Sequence, residues 1–163
     1  MHSLCAGGFE NVSSNGPLKG QKTEVEEGGH RVLCIFYWPE KISAAQVTDE
    51  TVLTMDLFPT FARLAGAELP RRQQLDGVDL TSLLLEQEPL MQRTIFWRIY
   101  KKCAVRRGPW KLNHSDRQRP QLYNLENDLG EATNVAEAHQ DIVTALMSAY
   151  DAWETNANNG FSK

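Results

Sequence analysis

The spacing of apolar positions changes near residue 94, and the two sides of that change predict different architectures. Before it, Val32-Leu33-Cys34-Ile35-Phe36-Tyr37-Trp38 is one continuous apolar run closed by Pro39. Its β-branched and aromatic content predicts a buried strand, central in a larger sheet, with Cys34 as a small core residue. Asp56 is placed to cap a helix running to about Ala65 and stopped by Gly66. Pro59 falls in its first turn, where a missing N–H loses no intrahelical partner. Phe58, Phe61, Ala62 and Ala65 recur at helical spacing and form its expected buried stripe. A shorter helix is predicted over Thr81–Leu85, after the Asp76-Gly77 turn. From Thr94 the pattern is strand-like: Ile95–Tyr100, Cys103–Arg107, a Gly108-Pro109 turn into Trp110–Leu112, and Gln121–Asn124. Ile142, Leu146, Ala149, Tyr150 and Trp153 recur at four- and three-residue steps, which predicts an amphipathic helix from about Gln140 to Thr155.

The expected fold class is therefore α/β, with α+β character in the second half. Residues 1–92 are expected to hold part of a mixed sheet with helices. Residues 93–163 are expected to form a small antiparallel sheet packed on a C-terminal helix. Residues 1–30 carry Gly7, Gly8, Gly16, Gly20, Gly28 and Gly29 with few large apolar side chains, so they are expected to form loops.

Composition narrows the function classes. With 163 residues, 41% hydrophobic and 23% charged, the chain is an ordinary globular sequence. A net charge of −4 with mixed signs offers no basic stripe for nucleic acid, and Arg117-Gln118-Arg119 is expected to be a solvated loop tip. No apolar run is long enough to predict a membrane span. Met1-His2-Ser3-Leu4 has none of the features of a signal peptide. Cys5, Cys34 and Cys103 are too far apart for a disulfide framework or a zinc site.

The motifs add a specific resemblance. Asn15 to Arg31 reads Asn-Gly-Pro-Leu-Lys-Gly-Gln-Lys-Thr-Glu-Val-Glu-Glu-Gly-Gly-His-Arg. It is similar to a sulfatase loop of the form Pro-Leu-Arg-Gly-x-Lys-x-x-x-x-Glu-Gly-Gly. Trp38-Pro39, Met55-Asp56-Leu57-Phe58-Pro59-Thr60 and Leu75-Asp76-Gly77-Val78-Asp79-Leu80 follow in the order that family uses. Val105-Arg106-x-Gly108-x-Trp110-Lys111-Leu112 and Leu122-Tyr123-Asn124-Leu125-Glu126-Asn127-Asp128 complete the series. The chain thus resembles the C-terminal portion of a sulfatase, a sulfuric ester hydrolase of the alkaline phosphatase-like superfamily. A phosphoester hydrolase of the same superfamily is the nearest rival.

The resemblance implies a formylglycine nucleophile made from Cys or Ser in Cys/Ser-x-Pro-x-Arg, and a calcium or magnesium ion held by carboxylates and a late Asp-Asn pair. Neither is expected from this chain. Cys5, Cys34 and Cys103 lack the motif; Cys103 has Arg107 at the right step but Val105 in place of proline. Cys5 and Ala6 stand where the family's Asp and Asn would be, and a hard cation prefers oxygen donors. Lys22 remains as the residue that the resemblance implies would contact the sulfate group, acting as a point charge. Without the resemblance, a lysine in a Gly-rich polar loop is simply solvated.

Other residues read as structural. His30, His114 and His139 lack metal-ligand spacing and suit surface or packing roles. Asp76 and Asp79 suit capping, Trp97, Trp110 and Trp153 a core face, and Glu27-Gly28-Gly29 a turn. Asn11-Val12-Ser13 and Asn113-His114-Ser115 are glycosylation sequons by pattern, relevant in a eukaryotic secretory setting. The expected function is a sulfatase-like C-terminal portion that is inactive on its own, with a sulfate ester as its ligand. The alternative is a non-catalytic binding or assembly module. In it, the exposed edge of strand 32–38 pairs copies into a homo-oligomer, or pairs with a separately encoded N-terminal half. The family's members are often periplasmic, secreted or lysosomal.

Overall fold

Residues 94–124 alternate their side chains between two faces and are joined by short turns, which closes them into a four-stranded antiparallel meander. This architecture comes from a computed structural model that describes residues 14–69, 75–116 and 118–160. The strands are β1 (Thr94–Ile99), β2 (Lys102–Arg107), β3 (Trp110–Ser115) and β4 (Gln118–Asn124), in the order β1-β2-β3-β4. The chain divides into two compact units, Met1–Val32 with Gln92–Lys163, and Leu33–Met91.

The register decides which side chains share a face. Val105 lies opposite Leu112, Leu112 opposite Leu122, and Phe96 opposite Val105. These residues pack against the helix Gln140–Gly160 through Val143, Leu146 and Tyr150, with Phe96 stacked on Trp153 at 5.0 Å. Each fully buried aliphatic side chain here contributes about 1.5–3 kcal/mol. The other face carries Trp97, Ala104, Arg106, Lys111 and Asn113, one residue out of step with the first. Ala104, Lys111, Asn113 and Tyr123 on that side are buried too, so the sheet is covered on both faces. The expected small sheet backed by a helix is present, and Trp110 and Trp153 pack against its core as expected.

The first unit also holds residues 14–32, whose only helix is the single turn α1 (Glu27–His30). In the second unit, a 3-10 turn (Thr54–Asp56) leads into α2 (Leu57–Leu64), and α3 (Thr81–Glu86) follows; the long C-terminal helix is α4. Gly66 sits at φ +68, and Ala67 N–H donates to Ala62 O at 2.8 Å, a left-handed stop where the sequence placed it.

Several expectations fail here. Asp56 makes no side-chain cap of α2; its buried carboxylate accepts from Leu53 N–H at 2.7 Å and Val78 N–H at 2.9 Å, closing the 3-10 turn and tying it to the 75–80 loop. Phe58 and Phe61 are more than half exposed, while Pro59 and Thr60 are the buried positions. Thr60 is held because its hydroxyl donates to Asp56 O and accepts from Leu80 N–H. Residues 32–38 form no strand; Leu33 is 96% and Ile35 88% exposed, and Cys34 is exposed rather than in a core. A buried strand needs ladder partners on both sides, and no described segment pairs with this run. Phe36, Trp38, Ile42, Phe61, Leu64 and Leu84 line an apolar hollow of about 230 Å³ within this unit.

Candidate functional site

Lys22 stands at the corner of a tight turn. Glu24 N–H donates to Gln21 O at 3.0 Å, and the Glu24 carboxylate accepts from Gln21 N–H at 3.0 Å. Thr23 adopts φ +77, which bends the chain sharply beside Lys22. Lys22 is exposed, and its ammonium has no partner among the described residues. The turn rests on a tied base. Gly28 N–H donates to Lys19 O at 2.7 Å, and the Asn15 amide donates to Gly20 O at 2.8 Å and Gly28 O at 3.1 Å.

Beneath this loop the second face of the sheet carries a buried ion cluster. Lys111 and Glu131 have no exposed surface and Glu27 only 1%. The Lys111 ammonium donates to Glu27 Oε1 at 2.8 Å and lies 3.1 Å from both Glu131 Oε1 and His30 Nε2. An ammonium has three donors and no acceptor, so the two carboxylates each take one, while His30 Nε2 lies 3.1 Å from both the ammonium and the Val25 carbonyl oxygen. Glu27 Oε2 faces Arg31 at 3.3 Å and Arg106 at 3.9 Å. The Glu131 carboxylate also accepts from Asn113 Nδ2 at 2.8 Å and from Glu27 N–H at 2.7 Å. Lys19 closes the set, donating to Glu131 O at 3.2 Å and lying 5.3 Å over the Tyr123 ring.

The local sequence explains how Glu131 arrives there. Asp128 accepts from Ala132 N–H at 3.0 Å and Thr133 N–H at 2.8 Å, bonds that hold its carboxyl below the usual carboxylate range. Glu131 N–H donates to Asp128 O, and Glu131 itself takes φ +52. A non-glycine residue in that region costs on the order of 1 kcal/mol, and its ties hold it there.

Burial and the Lys111 ammonium push His30 down to about 4, against the opposing pull of Glu27 and the Val25 carbonyl; Arg106 pushes the same way as Lys111. Its ring stacks on Trp97 at 4.3 Å between centroids. Burial alone would raise Glu27, but Lys111, His30 and Arg106 together hold it below its ordinary value. Both shifts have the same consequence. The unfolded His30 takes up a proton near its ordinary value while the folded one does not, and Glu27 must be protonated against its partners. Stability therefore falls as pH drops from about 6.5 towards 4, with His30 accounting for ~2 kcal/mol by pH 5. Urea titrations at pH 7 and pH 5 check this, and His30→Gln is expected to flatten the difference.

The sequence-derived candidates separate clearly. Lys22 lies in the loop that the cluster supports. Asp79 accepts from Thr81 N–H at 2.9 Å at the start of α3, a capping role as expected. His139 packs on Trp110 at 4.9 Å. Glu27 is part of the buried cluster rather than of a bare turn, and the sequence did not mark Lys111 or Glu131 as a site residue. Asn113 is buried with its amide committed to Glu131, which leaves its sequon out of reach of glycosylation. Cys5, Ala6 and Asn11 lie outside the described residues.

The buried carboxylates Glu27 and Glu131 are bridged by Lys111. No group of three or more His, Cys, Asp or Glu among the described residues is arranged to hold a metal. No helix among them is long and apolar enough to cross a membrane.

Fold and site together define a domain in which a sheet carries a helix on one face and, on the other, a braced loop with an exposed lysine at its tip. The family description "N-sulphoglucosamine sulphohydrolase, C-terminal" matches residues 21–154. A sulfatase of Formosa agariphila is 34% identical over 180 aligned residues, covering 94% of this chain and 32% of that protein. Human arylsulfatase A is 34% identical over 164 residues, covering 81% of this chain and 32% of that protein. The crystal structure of Ps i-CgsB in complex with k-i-k-neocarrahexaose matches with a TM-score of 0.78 at 33% identity, over 84% of this chain and 32% of that one. The chain belongs to the sulfatase family and corresponds to the C-terminal portion of its members. It spans about a third of the length of these curated relatives.

Proposed function

We propose that this chain supplies the sulfate-contacting lysine and the C-terminal sheet-and-helix domain of a sulfuric ester hydrolase, and that it does not catalyse hydrolysis by itself. The observation that carries this is Lys22, exposed and without a partner among the described residues, on a turn whose base is fixed by buried ions. A sulfate monoester presents anionic oxygens, and a preorganised cation next to them costs no rearrangement when charge shifts during reaction. Attack on sulfur also needs a nucleophile and charge compensation, and the sequence carries no Cys/Ser-x-Pro-x-Arg motif. The purified chain is therefore expected to release no product from a chromogenic aryl sulfate above the buffer rate. Steady turnover that vanishes in Lys22→Ala would overturn the non-catalytic reading.

A second reading, self-association, is favoured by the exposed apolar side chains Val32, Leu33, Ile35 and Tyr37. Dimers or larger species are expected in light scattering at high concentration. A monomer across the whole concentration range would count against it.

A further inference from the structure

We infer that Glu131 is a positioning residue for Lys22, holding the lysine-bearing loop in its working geometry from the segment that follows β4; this rests on the reading of Lys22 as a sulfate contact. Glu131 is over a hundred residues away in sequence, yet it meets the loop at two points. Its carboxylate accepts from Glu27 N–H at 2.7 Å, the first amide of α1. Its backbone oxygen accepts from Lys19, three residues before Lys22. The segment between these two anchors, Lys19 to Glu27, is the Lys22 turn itself, and Gly28 N–H to Lys19 O closes it into a ring.

The rest of the environment suits that role. Glu131 is locked from the sheet side by Lys111 and Asn113, both on β3. Its own backbone is held at φ +52 by the Asp128 turn, a conformation natural to glycine. A residue kept there only to shape the backbone would be better as glycine. Glutamate at this position makes sense through what its side chain holds. No part of Glu131 reaches solvent, so it acts through the loop and does not touch the ligand.

The test uses the whole chain, inorganic sulfate as the probe, and backbone amide resonances as the readout. In the wild type, sulfate is expected to shift the Lys22 amide, and the Gly28 and Gly29 amides should exchange slowly with solvent. Glu131→Gly relieves the backbone while removing the side-chain ties. If the competent loop population falls to about a tenth, apparent sulfate affinity at Lys22 weakens about tenfold and Gly28 and Gly29 exchange speeds up by a similar factor. Val105 and Leu112 amides should stay protected. Glu131→Gln leaves one acceptor oxygen and turns the other into a donor, so it can serve either Glu27 N–H or the Lys111–Asn113 side but not both, and its sulfate affinity should fall between those of wild type and Glu131→Gly.

Equal sulfate affinity in wild type and Glu131→Gly overturns the inference while leaving the Lys22 reading intact. Should Glu131→Gly lose protection throughout the sheet, Glu131→Gln decides: weaker sulfate binding on an intact sheet supports the inference, and wild-type binding overturns it. A wild-type Lys22 that ignores sulfate sinks the Lys22 reading, and this inference with it.

Discussion

Lys111→Ala is expected to destabilise the folded chain by about 3–5 kcal/mol at pH 7, because it strands two buried carboxylates without their common cation. In the native protein Glu27 and Glu131 are both at least 99% buried, and each places an oxygen within 3.1 Å of the Lys111 ammonium. Without it, Arg31 and Arg106 still face Glu27 at 3.3 and 3.9 Å, but no other ion pair among the described residues reaches Glu131. One carboxylate then gains most by taking up a proton. The loss should therefore shrink as pH falls, whereas the wild type weakens over the same range through His30 and Glu27. Urea unfolding of both proteins at pH 7 and pH 5 measures the crossover. A loss below about 1 kcal/mol would mean that the cluster is solvated rather than buried. Such a cluster is weak evidence for stability in itself, since a well-packed apolar replacement can do as well. Its value here lies in register: it fixes one loop against one place on the sheet.

Gly29→Ala is expected to be nearly as damaging, at ~3 kcal/mol, at the upper end of what overpacking usually costs. A Cβ at Gly29 would stand 2.1 Å from Glu24 O and 2.9 Å from Gln21 O, both backbone atoms of the Lys22 turn. Neither can move without opening the turn. Gly28 is equally tight, since a Cβ there would stand 2.5 Å from Gly20 O and 2.6 Å from Lys19 O. The pair is thus needed for close approach of two backbone segments and not for unusual dihedral angles. Circular dichroism and thermal unfolding measure the loss, and loop amide exchange locates it. Gly66→Ala is a useful contrast: its Cβ meets no atom within 4 Å, so its cost is confined to the positive φ.

Much of the C-terminal fold was legible in the sequence because its signals are local. The Gly108 turn, the two-residue alternation through Val105 and Leu112, and the helical steps of Leu146, Tyr150 and Trp153 each report on near neighbours. The second face of the sheet was not legible. Lys111 and Asn113 look like the solvent side of a strand, and the loop 14–31, about eighty residues upstream, together with Glu131 makes them interior. The lysine loop and the Trp110-Lys111-Leu112 motif were both visible, and nothing local said that Lys111 and Glu27 meet. Glu131 left no signal: it follows Gly130 in a polar stretch, and its role depends on a left-handed backbone and a partner 104 positions away. A charged residue at an inward strand position, with a matching charge in a distant loop, is the pattern that could have found the pair.

The apolar run 32–38 failed for the opposite reason. Its composition is that of a buried strand, but a strand is made by its ladder partners, and no described segment pairs with it. Phe58 and Phe61 lie on α2 as the periodicity predicted, yet each is more than half exposed, with Phe61 lining the apolar hollow.

A titration of inorganic sulfate into wild-type chain and Lys22→Ala, followed by the amides of residues 20–28, decides whether Lys22 contacts sulfate. Saturable shifts centred on the Lys22 turn are expected in the wild type, and their loss in Lys22→Ala with the sheet resonances unchanged. Identical titrations of the two proteins would contradict that contact.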